Sequence, residues 1–170
     1  RPLANLIYSD EDKIDDAGER SCPHFKPSFN IELLLSYNFI SHLGVYRRDV
    51  IEQIGGFRNG LEGSQDYDLA LRTILESSPN QIIHIPRVLY HWRIHPESTS
   101  CNPNSKDYTT ERGLKAIQDY LDEQQRRGGH HGTATPQGQN RFRCQWHIPE
   151  KQPSVELIIP TRDKSKILEL

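Results

Sequence analysis

The sequence predicts an α/β layered fold, on three observations. A short apolar run, 4–9, reads as a buried strand. An amphipathic helical pattern, about 65–77, carries Leu69, Ala70, Leu71, Ile74 and Leu75 on one face. Strand-like runs at 81–85 and 88–93 then precede a second helical stretch, 105–127. Strands alternating with helices are the pattern of layered α/β proteins.

The first strand leads into Asp10-Glu11-Asp12, read as a loop leaving the strand. Residues 15–27 are turn-rich, with two prolines bracketing His24-Phe25-Lys26. Asn30 is placed to cap a short helix over 31–35. Residues 39–46 are apolar and β-prone, with polar Ser41 and His42 inside. A helix over 49–54 should stop at Gly55-Gly56. Ser64 is the expected cap of the next helix, and Asp68 the expected partner of Arg72 one turn on. Pro79-Asn80 ends that helix, and Pro86 divides the two strands that follow. Residues 128–138, rich in Gly and small polar residues, read as a linker, and 141–147 as a strand. Val155-Glu156-Leu157-Ile158-Ile159 reads as a further strand opening a new, truncated α/β unit.

Composition narrows the function classes. A net charge of −2 offers no bulk basic field for nucleic acid or an anionic membrane. No apolar run is long enough to span a bilayer. The opening Arg-Pro-Leu lacks signal-peptide character, and the absence of Met suggests a piece cut from a longer chain. Cys22, Cys101 and Cys144 are widely spaced and form no Cys-x-x-Cys pair, which fits reduced thiols in the cytoplasm better than a zinc or redox site.

Three clusters could carry chemistry. Asp10 and Asp12, two apart, could face a cleft and hold a hard cation, or form a solvated turn. Gln65-Asp66 stands at a helix start, where an acid either stabilises the unpaired N–H groups or accepts a proton from a hydroxyl. Tyr90-His91-Trp92-Arg93-Ile94-His95 alternates aromatic and polar groups, so that His91 and Arg93 share one strand face. It reads equally as a half-exposed edge strand.

The ordered segments Leu6 to Asp15, Phe25-Lys26-Pro27, Gly55-Gly56-Phe57-Arg58, Gly63 to Leu69 and Val88 to Arg93 resemble family-2 glycosyltransferases of the GT-A fold. The resemblance is to bacterial enzymes of O-antigen and surface-polysaccharide synthesis with tandem transferase domains, and covers about residues 1–100. It implies that 1–127 is the C-terminal, acceptor-side part of one GT-A domain, 128–153 a linker, and 154–170 the first strand and helix of a second. It implies Asp66 as catalytic base in the family's acidic motif, with Gln65 standing where many relatives carry a second acid. By the same resemblance Asp10, Asp12, Gln65, Arg93, Thr161 and Asp163 bind substrate, and His95, or alternatively His91, ligates a divalent metal, Mg or Mn. The main metal-binding Asp-x-Asp of relatives lies upstream of this segment.

The implied reaction is inverting transfer of a sugar from a nucleotide-diphosphate donor to a saccharide or lipid-linked acceptor. The implied location is the cytoplasm or the inner face of the membrane, with no membrane span and no nucleic-acid partner. With the donor half absent, the fragment alone is expected to be inactive. Two rival classes are a non-catalytic scaffold or acceptor-binding module, and a glycoside hydrolase using two carboxylates.

Overall fold

The computed structural model describes residues 3–94, 107–148, 154–156 and 158. It is a mixed α/β structure. One strand organises it: β1, Leu6–Ile14, lies inside a four-stranded sheet. Along one side it pairs in parallel with β4, Ile82–Arg93. Its other side is shared by two antiparallel partners, β2 (Arg20–His24) against the C-terminal half and β3 (Gly44–Tyr46) against the N-terminal half. Asp10, Glu11 and Asp12 therefore sit within β1, not in a loop beyond it, and the stretch expected to be only turns contributes β2.

Helix α1, Ile31–Ser36, begins where the sequence places it: the Asn30 side chain accepts from the Leu33 N–H at 2.9 Å. Helix α2, Arg48–Gln53, ends at Gly55 and Gly56, whose φ values of 80° and 68° lie in the left-handed region that favours glycine. Of the β-prone run 39–46, only Gly44–Tyr46 is strand; Phe39 and Ile40 are buried in the core instead.

Helix α3, Gln65–Leu75, lays Tyr67, Ala70, Leu71 and Ile74 into the core with Leu6 and Tyr8 of β1. A short 3₁₀ turn, Pro79–Gln81, leads into β4. Pro86 does not split this strand. Proline has no N–H to give the ladder, but among the described residues β4 pairs only with β1, and the ladder slips there: Ser9 faces Ile85, Asp10 faces Val88 and Glu11 faces Tyr90. After these irregularities Tyr90 and Trp92 lie on the same side as Glu11 and Lys13, while His91 and Arg93 lie on the side of Asp12 and Ile14.

Helix α4, Asp107–Arg126, packs on α3 and buries Ala116, Ile117, Tyr120 and Leu121. The stretch 128–138, read as linker, contributes β5 (Gly132–Gly138), and the strand expected at 141–147 is β6 (Arg141–Trp146); the two form an antiparallel hairpin lying against α4 and α1. Ala134 and Phe142 join the core from it. Phe142 comes so close to Gly113 of α4 that a Cβ there would lie 2.8 Å from its ring. In the run expected to open a second unit, 154–156 and 158 have no regular structure, and Val155 and Ile158 are exposed.

Candidate functional site

The two acids at the start of α3 face different surroundings. Residues two apart on a helix point about 200° apart, so Asp66 and Asp68 cannot serve one site. Asp68 is 1% exposed and carries a buried ion network. Arg72 Nη2 approaches it at 2.7 Å, as the i,i+4 spacing predicts, and Arg58 donates to both of its oxygens. Arg58 also reaches Asp119 of α4 at 2.8 Å. Arg72 goes on to donate to the carbonyls of Ile54 and Gly56 at 2.8 and 2.6 Å, tying the end of α2 to α3. The Asp68 carboxylate raises the Arg58 guanidinium pKa against the effect of burial, and Asp119 adds to it.

Asp66 is half-buried and lines a cleft of about 590 Å³. Its Oδ2 accepts from Asn38 Nδ2 at 2.9 Å. Ser64, expected as the cap, turns elsewhere: its hydroxyl donates to the Thr109 carbonyl at 2.8 Å, joining the α3 start to α4. Gln65 also lines the cleft, and its Oε1 accepts from the Gly63 N–H at 2.5 Å. Beneath lies Tyr46, whose phenol pKa is raised by burial and further by the Asp66 charge, so it stays protonated.

The remaining cleft wall comes from residues that sequence reading did not select for this role. Tyr37 and Asn38 follow α1, Ser41 and His42 precede β3, and Trp92 comes from β4. The hairpin adds Asn140, Arg141 and Phe142. The Arg141 guanidinium lies over the Tyr37 ring, 4.0 Å from its centroid. The wall thus combines aromatic faces with hydroxyl, amide and charged groups, which suits the apolar faces and hydroxyl edges of a saccharide. Polar Ser41 and His42 inside an apolar run were a signal; the hairpin residues gave none, since composition hid their pairing.

The other candidates lie elsewhere. Asp10 is buried in β1, where its Oδ1 meets the Lys26 N–H at 2.9 Å and His84 Nε2 at 2.8 Å. Asp12 Oδ2 accepts from Arg20 Nε at 2.6 Å and Oδ1 faces His91 Nδ1. Burial works against its charge, but His91 and Arg20 outweigh it and hold the Asp12 carboxyl below the usual range. His91 and Arg93 share one face, as expected, but it is opposite the face of Trp92, and neither lines the Asp66 cleft. Among the described residues the donors do not fit a divalent cation. Both Asp12 oxygens are engaged by Arg20 and His91, and no group of three His, Cys, Asp or Glu among the described residues is arranged to hold a metal ion. His95, Thr161 and Asp163 lie outside the described residues.

Glu11 holds a third arrangement, under the cleft. Its Oε1 is 3.4 Å from His24 Nδ1 and 3.8 Å from Lys26 Nζ, and its Oε2 is 3.3 Å from His42 Nδ1. Burial opposes its charge, yet the His42 ring, Lys26 and His24 hold its carboxyl below the usual range. The Lys26 ammonium, its side chain wholly buried, donates to the carbonyls of Ile40, at 2.7 Å, and His42. Burial pushes its pKa down, against the pull of Glu11 and Asp10.

No protein-family model matches the sequence. The chain is 41% identical to the "Uncharacterized protein y4gI" of Sinorhizobium fredii (strain NBRC 101917 / NGR234), in an alignment taking in 98% of this chain and 18% of that protein. It is 33% identical to the "O-antigen biosynthesis protein RfbC" of Myxococcus xanthus, over 99% of this chain and 13% of that protein. The chain therefore spans less than a fifth of the length of these relatives. No helix among the described residues is long and apolar enough to cross a membrane.

Proposed function

We propose that this chain is the acceptor-side part of an inverting glycosyltransferase of polysaccharide biosynthesis, with Asp66 as its general base. The observation that carries the reading is the placement of Asp66. Its carboxylate stands at a helix start, held by Asn38 on one oxygen, in a cleft walled by Tyr37, Trp92 and polar side chains. The GT-A resemblance of the sequence motifs and the likeness to a protein named for O-antigen biosynthesis support the same reading.

In this mechanism the acceptor sugar lies in the cleft with a hydroxyl against Asp66. Its oxygen attacks the anomeric carbon of a nucleotide-diphosphate sugar, the new glycosidic bond forms, and the bond to the diphosphate breaks with inversion. The hydroxyl proton goes to Asp66. A carboxylate is a far weaker base than an alkoxide, so the proton moves late, once the attacking oxygen has become acidic. Asn38 fixes the carboxylate rotamer by its hydrogen bond. Asp10, Asp12, His91 and Arg93 have no step in the cleft.

The test is Asp66→Asn in the full-length protein, offered nucleotide-sugar donors and saccharide acceptors, with products read by mass spectrometry. Asparagine keeps an oxygen for Asn38 but is no base. Transfer should fall by roughly 10²–10⁴-fold with donor binding retained. Unchanged turnover would overturn the assignment.

A further inference from the structure

The Glu11–Lys26 arrangement is costly unless it serves something. Burying a charge costs several kcal/mol of effective desolvation, and breaks even only with excellent geometry. Here the geometry is uneven. Glu11 and Lys26 are 3.8 Å apart, and Glu11 Oε2 is buried without a well-formed hydrogen bond among the described residues, with His42 Nδ1 near it but off the bonding geometry. What the two charges do hold in place is one short stretch, Ile40 to His42: Lys26 grips the carbonyls of Ile40 and His42, and Glu11 lies against the His42 ring. Ser41, between them, has a φ of 37°, a conformation rare for a residue with a Cβ and one that persists where the surroundings enforce it.

The product of this bracing is a fixed imidazole in the cleft wall. His42 is stacked on Tyr90, with ring centroids 4.9 Å apart and planes 14° apart, and lies 5.1 Å from the Trp92 ring. Its Nδ1 faces Glu11 and Ser41 Oγ, which leaves Nε2 as the nitrogen available to a ligand. Its side chain is 38% exposed and lines the cleft with Asp66.

The Asp10 and Glu11 carboxylates are met by Lys26, His84, His24 and His42 together. Arg141 also lines the cleft, on the Tyr37 ring, with no carboxylate partner among the described residues.

We propose that His42, positioned by Glu11, is an anion-binding residue of the Asp66 cleft, and that the saccharide taken there carries a phosphate or carboxylate group, with Arg141 as the second cation. This deepens the reading of the cleft as a saccharide site and rests on it. The binding itself needs no transfer, so it can hold even where Asp66→Asn leaves turnover unchanged.

The experiment is calorimetric titration of the full-length protein with inorganic pyrophosphate, glucuronate and glucose, at one pH, for wild type, His42→Gln, Glu11→Gln and the double variant. The groups against His42 are Glu11 of β1, the Ser41 hydroxyl, Lys26 on its carbonyl, and the rings of Tyr90 and Trp92 on β4. Wild type should bind an anionic probe. His42→Gln should lose about tenfold or more of that affinity, well beyond any loss for glucose. Glu11→Gln, checked for folding by circular dichroism, should also weaken anion binding, and that loss should vanish in the His42→Gln background, which a purely structural defect would not show. Binding of pyrophosphate alone assigns the anion to phosphate, of glucuronate alone to an acidic sugar; either supports the proposal. Absence of binding to both, equal loss of glucose binding, or unchanged anion affinity in His42→Gln overturns it.

Discussion

Replacing Asp68 by Asn should damage the fold, while the same change at Asp66 should damage only the proposed reaction. Asp68 is 1% exposed and receives Arg58 and Arg72, the latter at 2.7 Å. Removing one partner of a buried ion pair costs roughly 3–5 kcal/mol, because the other charge is left uncompensated. Two features put Asp68→Asn at the lower end. Asparagine keeps one acceptor oxygen, and the Arg58 side chain, 38% exposed, can recover water. Arg72, 16% exposed, cannot do so as well, although the Ile54 and Gly56 carbonyls still accept from it. The expected loss is about 3 kcal/mol, or a fall in Tm of roughly 6–12 °C for a domain of this size. Asp66 is half-buried, and asparagine can still accept the hydrogen bond from Asn38, so its loss should stay within about 1 kcal/mol. Urea and thermal unfolding followed by Trp92 and Trp146 fluorescence reads both variants. Equal melting of Asp68→Asn and wild type, or a larger loss in Asp66→Asn, would refute the division of the two acids.

Three further outcomes follow from the packing and the titrating groups. Gly113→Ala should destabilise the hairpin's seat by about 1–3 kcal/mol, because the new methyl meets Phe142 at 2.8 Å; an exposed helix would instead gain about 1 kcal/mol, and urea midpoints separate the two. Glu11 and Asp12 have depressed folded-state pKa values, so their stabilisation is present above their ordinary values of 4.5 and 3.8 and is lost as pH falls through the depressed ones. Urea midpoints measured from about pH 6 to about pH 3 should fall, and fall less steeply in Glu11→Gln. Burial, and then Glu32, pushes the Cys144 thiol up to about 11, so on the order of 10⁻³ of it is thiolate at pH 8. Iodoacetamide labelling read by peptide mass spectrometry should therefore modify exposed Cys22 well ahead of Cys144.

What the sequence by itself determined is the set of features that depend on near neighbours. The Asn30 cap, the stop of α2 at Gly55-Gly56, the amphipathic face of α3 and the Asp68–Arg72 pair all rest on spacings of one to four residues, fixed once a helix forms. The α/β character follows from the same periodicities. The selection of Asp66 came from a motif resemblance, and the structure sets that residue in a cleft.

Only the tertiary structure decided how distant segments share a surface. The slips of β4 against β1 around Pro86 set which side chains reach the cleft, putting Trp92 there and turning His91 and Arg93 to the other face. Local alternation predicts that His91 and Arg93 go together, but not which side they take, because that depends on pairing register. Asp10 and Asp12 look solvated in the sequence because adjacent acids usually are; placed mid-sheet, they draw Lys26, His84, Arg20 and His91 as partners. The β5 half of the hairpin is composed like a linker, and the hairpin's place comes from burying Ala134 and Phe142 in the core, a contact to which the polar residues of β5 give no clue. Asn38 and His42 join Asp66 across 28 and 24 residues of chain, closed by core packing that no local pattern encodes.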